Sequence, residues 1–185
     1  YEIMQRMADE KHSIIFITHK MKEVMALSHR ITVLSRGKIM ATLNKENTNP
    51  ESLADLMIGN LKSKESINVA ELFKETEFDN RDKRSTATKE KKHKFGNLTV
   101  SLEDIHTVND LGQPTLKGVS LDIYAGEILG MAGVSGNGQT ELADVLCGMR
   151  NPIKGSYHFG GTFLEKPTVN EMIDRGVGYI PEDRK

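Results

Sequence analysis

The sequence has no tryptophan, only 5% aromatic residues and one cysteine, Cys147. A lone thiol excludes an intramolecular disulfide framework and suits a reducing cytosol. Its place in a helical pattern beside Leu146 predicts a buried structural thiol rather than a reactive one. No run of about 18 apolar residues is present, so no segment is expected to cross a bilayer as a helix, and no signal-peptide pattern opens the chain. An excess of one charge is missing too: the net charge of −1 excludes a general bias toward nucleic acid or an anionic membrane. Hydrophobic residues make up 37% of 185, lean for a compact globule, which predicts that part of the chain lies outside any core.

The part without a core is easy to find. From about Leu61 to Gly96, Lys, Arg, Glu, Asp, Ser and Thr dominate, and residues 81–94 are almost devoid of apolar side chains. Acids are interspersed among the bases and aromatics are scarce, so this stretch reads as a solvated tether and no nucleic-acid partner is expected. It divides the chain into residues 1–60, a linker at 61–97 and residues 98–185.

The first segment has an α/β rhythm. Ile3, Met4, Met7 and Ala8 give an opening helical pattern, and the run Ser13-Ile14-Ile15-Phe16-Ile17-Thr18 predicts a strand buried on both faces. A short helix over about 21–27 comes next, then strands at 30–34 and 38–43 joined through Arg36-Gly37 as a hairpin. Asn49, Pro50, the stripe Leu53, Leu56, Met57 and then Gly59 mark the cap, first turn, apolar face and stop of another helix. The third segment restarts with strands at 98–102 and 116–123, in which apolar residues partly alternate. A strand and turn at 155–161 and a capping box of Thr168 with Glu171, opening a short helix, come later. The chain starts inside a helical pattern at Tyr1 and stops at Lys185 without a closing element, so both ends are expected to be cut.

The chemistry concentrates in Gly133-Val134-Ser135-Gly136-Asn137-Gly138-Gln139-Thr140. This run fits the phosphate-loop pattern G-x-x-x-x-G-K-[ST] except that Gln139 stands where the lysine belongs. Glycines let backbone N–H groups turn toward phosphate oxygens, and the Thr140 hydroxyl is placed to ligate Mg²⁺ at the start of a helix. The context fits. Residues 127–132 predict a short buried strand before the loop, and Leu142, Val145, Leu146 and Met149 predict an apolar helix face after it. The bland alternative is a glycine-rich turn that binds nothing.

Residues 116–130, running into Gly133 to Leu142, resemble the opening of an ABC-transporter ATPase domain. Ile15-Phe16-Ile17-Thr18-His19-Lys20, with residues 30–39 behind it, resembles the close of another. The order is an end, a linker and a beginning, as in a window on a tandem ABC protein of the sugar (ribose/galactose type) or nucleoside importer family. Gln139 together with residues 177–184 looks most like the second domain of the nucleoside-type members. The resemblance implies an α/β P-loop NTPase (ABC ATPase) fold in two partial domains: residues 1–60 the C-terminal part of the first, 98–185 the N-terminal part of the second.

The same resemblance implies ATP and Mg²⁺ as ligands and Gly133, Val134, Ser135, Gly136, Asn137, Gly138, Gln139, Thr140 and Glu141 as nucleotide contacts. It makes His19 the switch histidine that senses the γ-phosphate, and Thr140 with Glu182 the Mg²⁺ residues. Glu182 falls where the family carries a glutamine. A carboxylate can ligate Mg²⁺ but cannot donate as an amide does. No aromatic lies in residues 108–114 to stack adenine, and neither a signature motif nor an acidic Walker-B strand occurs, so no catalytic site is complete. On this reading His19 serves the first domain's own loop and Gly133 to Thr140 serves the other site. Transmembrane permease subunits, an indirectly engaged extracytoplasmic solute-binding protein and a peripheral place on the cytoplasmic membrane face are implied with it. A soluble ABC ATPase acting on ribosomes or DNA and a non-enzymatic fragment are the other readings.

Overall fold

The computed structural model describes residues 1–58 and 95–181. Helix α1 (Glu2–Asp9) leads to strand β1 (Ile14–Thr18), helix α2 (Met21–Leu27), the hairpin β2 (Arg30–Ser35) and β3 (Lys38–Asn44), and helix α3 (Pro50–Ile58). Asn49 caps α3 as its sequence position predicts: the Ser52 N–H donates to Asn49 Oδ1 at 2.8 Å, which satisfies one of the donors a helix start leaves free. The expected stop at Gly59, residues 61–94 of the expected linker and Glu182 lie outside the described residues. Beyond them come β4 (Leu98–Val108), β5 (Pro114–Tyr124), β6 (Ile128–Ala132), α4 (Gln139–Leu146), β7 (Lys154–Phe159), β8 (Thr162–Leu164) and α5 (Val169–Asp174).

These strands make two four-stranded sheets. One is antiparallel, in the order β5-β4-β7-β8. In β4 and β5, Leu102, Ile105, Leu116, Val119, Leu121 and Ile123 are all buried; the spacing of two holds from Val119 to Ile123 and breaks between Leu102 and Ile105, where the register shifts. The other sheet has the order β1-β6-β2-β3, with β6 parallel to both β1 and β2 and the β2–β3 hairpin antiparallel. Every residue of β6 is buried. Its Leu129 and Met131 pack into the core beneath the antiparallel sheet, which Leu34 joins from β2. Ala132 joins a second cluster with Met21, Val24, Ile31, Val33, Leu53 and Met57.

Three expectations change. Strand β1 is not buried on both faces: among the described residues it pairs only with β6 and forms the sheet edge, so Ile14, Ile15 and Phe16 are half-buried and Ile17 is exposed. Helix α4 ends at Leu146, and the chain turns at Gly148, so Met149 falls outside the predicted apolar face and is 48% exposed. Cys147, at the C-cap, is half-buried rather than buried; desolvation, and then the nearby Asp144, push its thiol pKa up, which disfavours the reactive thiolate.

A buried ion pair joins the two ends of the chain. Glu127, fully buried in the turn before β6, accepts from Arg30 Nε at 2.5 Å and from the Tyr124 N–H at 3.0 Å. Arg30 also donates to the Asp122 carbonyl at 2.5 Å and lies 5.4 Å from the centre of the Tyr124 ring. Burial raises the Glu127 pKa, against the Tyr124 amide and the Arg30 guanidinium, which lower it. Phe95, near the expected linker's end, stacks with the Tyr124 ring at 6.3 Å between centroids.

Candidate functional site

The parallel sheet ends its strands together, and the phosphate loop emerges from its centre. Ile17 pairs with Met131 and Thr18 with Ala132 on one side of β6, while Val33 pairs with Ala132 on the other. Gly133 therefore leaves the sheet between the ends of β1 and β2. His19 follows Thr18, the last residue of β1, in a bend. It is exposed, and the turn that carries it is fixed by Thr18, whose hydroxyl donates to Glu23 at 2.9 Å and accepts the Lys20 N–H at 3.1 Å.

Within the loop, Val134, Ser135 and Gly136 are exposed, Asn137 is half-buried and Gly138 is buried. Gly138 takes φ +105 at the N-cap of α4, a left-handed conformation that an L side chain resists, and it turns the chain into the helix. Thr140 follows in the first turn with its side chain exposed, and Glu141 beside it is half-buried. A helix start with an open hydroxyl and a backbone cradle suits Mg²⁺ and phosphate oxygens. These residues fit that ligand pair.

Gln139 behaves differently from a lysine. It is 9% exposed, and its side-chain amide is spent on the loop itself. Gln139 Nε2 donates to the Val134 carbonyl at 3.0 Å, and Gln139 Oε1 accepts the Asn137 N–H at 3.0 Å. The loop is thus cross-braced from within by a neutral group. Asn137 is held a second way from the first segment: its Oδ1 accepts the Arg36 N–H at 2.7 Å and its carbonyl accepts the Gly37 N–H at 2.9 Å. Neither brace was legible in the sequence, where Arg36-Gly37 reads only as a hairpin turn. No local signal links positions 36 and 137.

Where the resemblance calls for an adenine-stacking ring, the β4–β5 connection has none. Asn109 Oδ1 accepts the Leu111 and Gln113 N–H groups at 3.0 and 2.8 Å, and the turn presents Leu111, 83% exposed, at its tip. Among the described residues no cluster of His, Cys, Asp or Glu could hold a metal ion, and no helix is long and apolar enough to cross a membrane.

Residues 116–185 match the ABC transporter family. Over 184 residues the chain is 33% identical to the glucose import ATP-binding protein TsgD13 of Haloferax volcanii, an alignment covering 100% of this chain and 30% of that protein. It is 32% identical over 183 residues to the nucleoside import ATP-binding protein NupA of Lactococcus lactis subsp. cremoris, covering 99% of this chain and 32% of that one. The guanosine import ATP-binding protein NupO of Bacillus subtilis is similar at 33% over 183 residues, with 99% and 32% covered. The chain spans about three tenths of the length of the curated relatives it matches.

Proposed function

From the match of residues 116–185 to the ABC transporter family and the import relatives aligned along nearly all of the chain, we propose that it belongs to that family and is part of an importer's ATP-binding subunit. The whole protein couples ATP binding and hydrolysis to uptake of a sugar or nucleoside. It works with transmembrane permease subunits at the cytoplasmic membrane face and, through them, with an extracytoplasmic solute-binding protein. In chain order residues 1–60 correspond to the end of one ATPase domain, 61–97 to the connection and 98–185 to the start of the next, and within this chain β6 of the last piece completes the sheet of the first. Supporting this reading are relatives with glucose, nucleoside and guanosine import in their names, each aligned along nearly all of this chain.

The nucleotide site is Gly133 to Glu141, with ATP phosphates on loop amides and Mg²⁺ on Thr140; Glu182 is the second Mg²⁺ residue. His19, one position past β1, senses the γ-phosphate at the first domain's own loop. The observation that carries the assignment is the Gln139 brace. It holds the loop in a turned shape without the point charge a lysine places on the β- and γ-phosphates. A nucleotide that uses the Asn137 N–H has to displace Gln139 Oε1, and the neutral amide offers little to a developing transition-state charge. Losing such a contact costs on the order of 2–4 kcal/mol in transition-state stabilisation. The site binds nucleotide and turns it over poorly.

Equilibrium titration with Mg-ATP tests this. The chain is expected to bind saturably, Thr140→Ala to weaken binding roughly tenfold, about 1.4 kcal/mol, and Gln139→Lys to tighten it; in the full-length protein Gln139→Lys raises hydrolysis. No saturable binding by the chain, or equal affinity for Thr140→Ala, contradicts the assignment.

A further inference from the structure

Beside the phosphate loop, on the flank of the β2–β3 hairpin, a cavity of about 360 Å³ is lined by Ser35, Arg36, Lys38, Met40 and Lys117. Its charge is one-sided: three of the five lining residues are cationic and none is acidic. Among the described residues, none of Arg36, Lys38 and Lys117 takes part in an ion pair. Elsewhere on this surface cations find partners, as Lys154 does with Asp104 at 2.7 Å and Arg175 with Glu171 at 2.9 Å. Gathering three like charges around one concavity raises their mutual repulsion, which an anion relieves.

The wall is also pre-shaped. Arg36 has φ +50, left-handed for a non-glycine residue, and its N–H is held by Asn137. Gly37 presses so closely on β5 that a Cβ there would stand 1.8 Å from the Thr115 carbonyl oxygen, and the Gly37 carbonyl accepts the Lys117 N–H at 2.8 Å. The backbones of Arg36 and Lys117 are therefore fixed relative to each other, and only their side chains remain to be ordered on binding.

We propose that this cavity is a second anion site, separate from Gly133 to Thr140, that takes a small soluble phosphate-bearing molecule. Arg offers a planar fork and each Lys a point charge, a mixture that suits phosphate oxygens. The volume falls in the usual range of about 300–1,000 Å³ for small-molecule sites. Met40 is the only apolar lining residue and is half-buried, which supplies no anchor for a lipid surface and favours a free ligand.

The test uses the 185-residue chain and inorganic pyrophosphate, followed by NMR. The Met40 methyl, identified through Met40→Leu, reports the cavity, and the Gly136 and Gly138 amides report the phosphate loop. Pyrophosphate is expected to shift the Met40 methyl saturably, with affinity that falls as salt rises. Lys38→Gln with Lys117→Gln should weaken that response at least tenfold while leaving the glycine amides' response as it was. Both lysines are exposed, and each single variant gives a smaller loss if the pair is poorly behaved. A Met40 methyl that does not move, or an unchanged Met40 midpoint in the double variant, overturns the proposal. So does a Met40 response that follows the glycine amides with one shared midpoint in both proteins, since the anion then sits on the phosphate loop alone. Because Met40 and the glycines report separately, loss of this cavity site and loss of the nucleotide site are distinguishable.

Discussion

The antiparallel sheet draws β4, β5, β7 and β8 from one stretch of chain, whereas the parallel sheet inserts β6 from that stretch between β1 and β2 from the opposite end. In the first, most spatial neighbours are near in sequence, and alternation interrupted by register shifts in β4 places the buried residues. In the second, the Ile128 N–H donates to His29 Nδ1 across 99 positions, and the Arg30–Glu127 pair spans 97. Such a sheet has to repay the entropy of closing a long loop before its contacts count. It does so with a fully buried central strand, a buried ion pair and two hydrophobic clusters that share β6. The glycine-rich loop from Gly133 to Thr140 emerges from this long-range sheet, and its Asn137 is held by the Arg36 and Gly37 amides, so its shape depends on both parts of the chain.

That contrast can be broken in graded steps. Leu34 is fully buried and is the residue through which β2 enters the core beneath the antiparallel sheet. Leu34→Ala is expected to cost about 4 kcal/mol, read from urea unfolding, and to loosen the phosphate loop with it. Glu127→Ala leaves Arg30 without its carboxylate and the Tyr124 N–H without its acceptor; an expected loss of about 3 kcal/mol should appear in the same measurement. A value near zero means the two ends are not held by this pair. The mildest change lies outside the long-range sheet. The Glu171 N–H donates to Thr168 Oγ1 at 3.3 Å, so Thr168→Ala should cost about 1 kcal/mol and leave Mg-ATP binding untouched.

How legible each region was follows from the range of its contacts. The Thr168 and Asn49 caps, the β2–β3 hairpin and strand β6 were readable because each rests on residues a few positions apart. The turn from β6 into α4 was readable for the same reason, while the role of its glycines and of Thr140 toward nucleotide is a proposal. What escaped were relations across the linker: β1 at an edge beside β6, and Asn137 held by the Arg36 and Gly37 amides. The side chain of Gln139 escaped on a finer scale. Its identity announced a missing charge, but only the folded loop shows its amide bridging Val134 and Asn137.

Native-state hydrogen exchange of the chain measures most directly whether the sheet that carries the loop is one unit. Amides of Leu129 to Ala132 are expected to be among the most protected, and those of β1 and of Ile31 to Val33 in β2 to open with the same free energy as β6 and to lose it together in Glu127→Ala. Fast exchange across residues 14–18 and 31–33 while Leu129 to Ala132 stay protected would show that the two ends fold apart, and would contradict a site built from both.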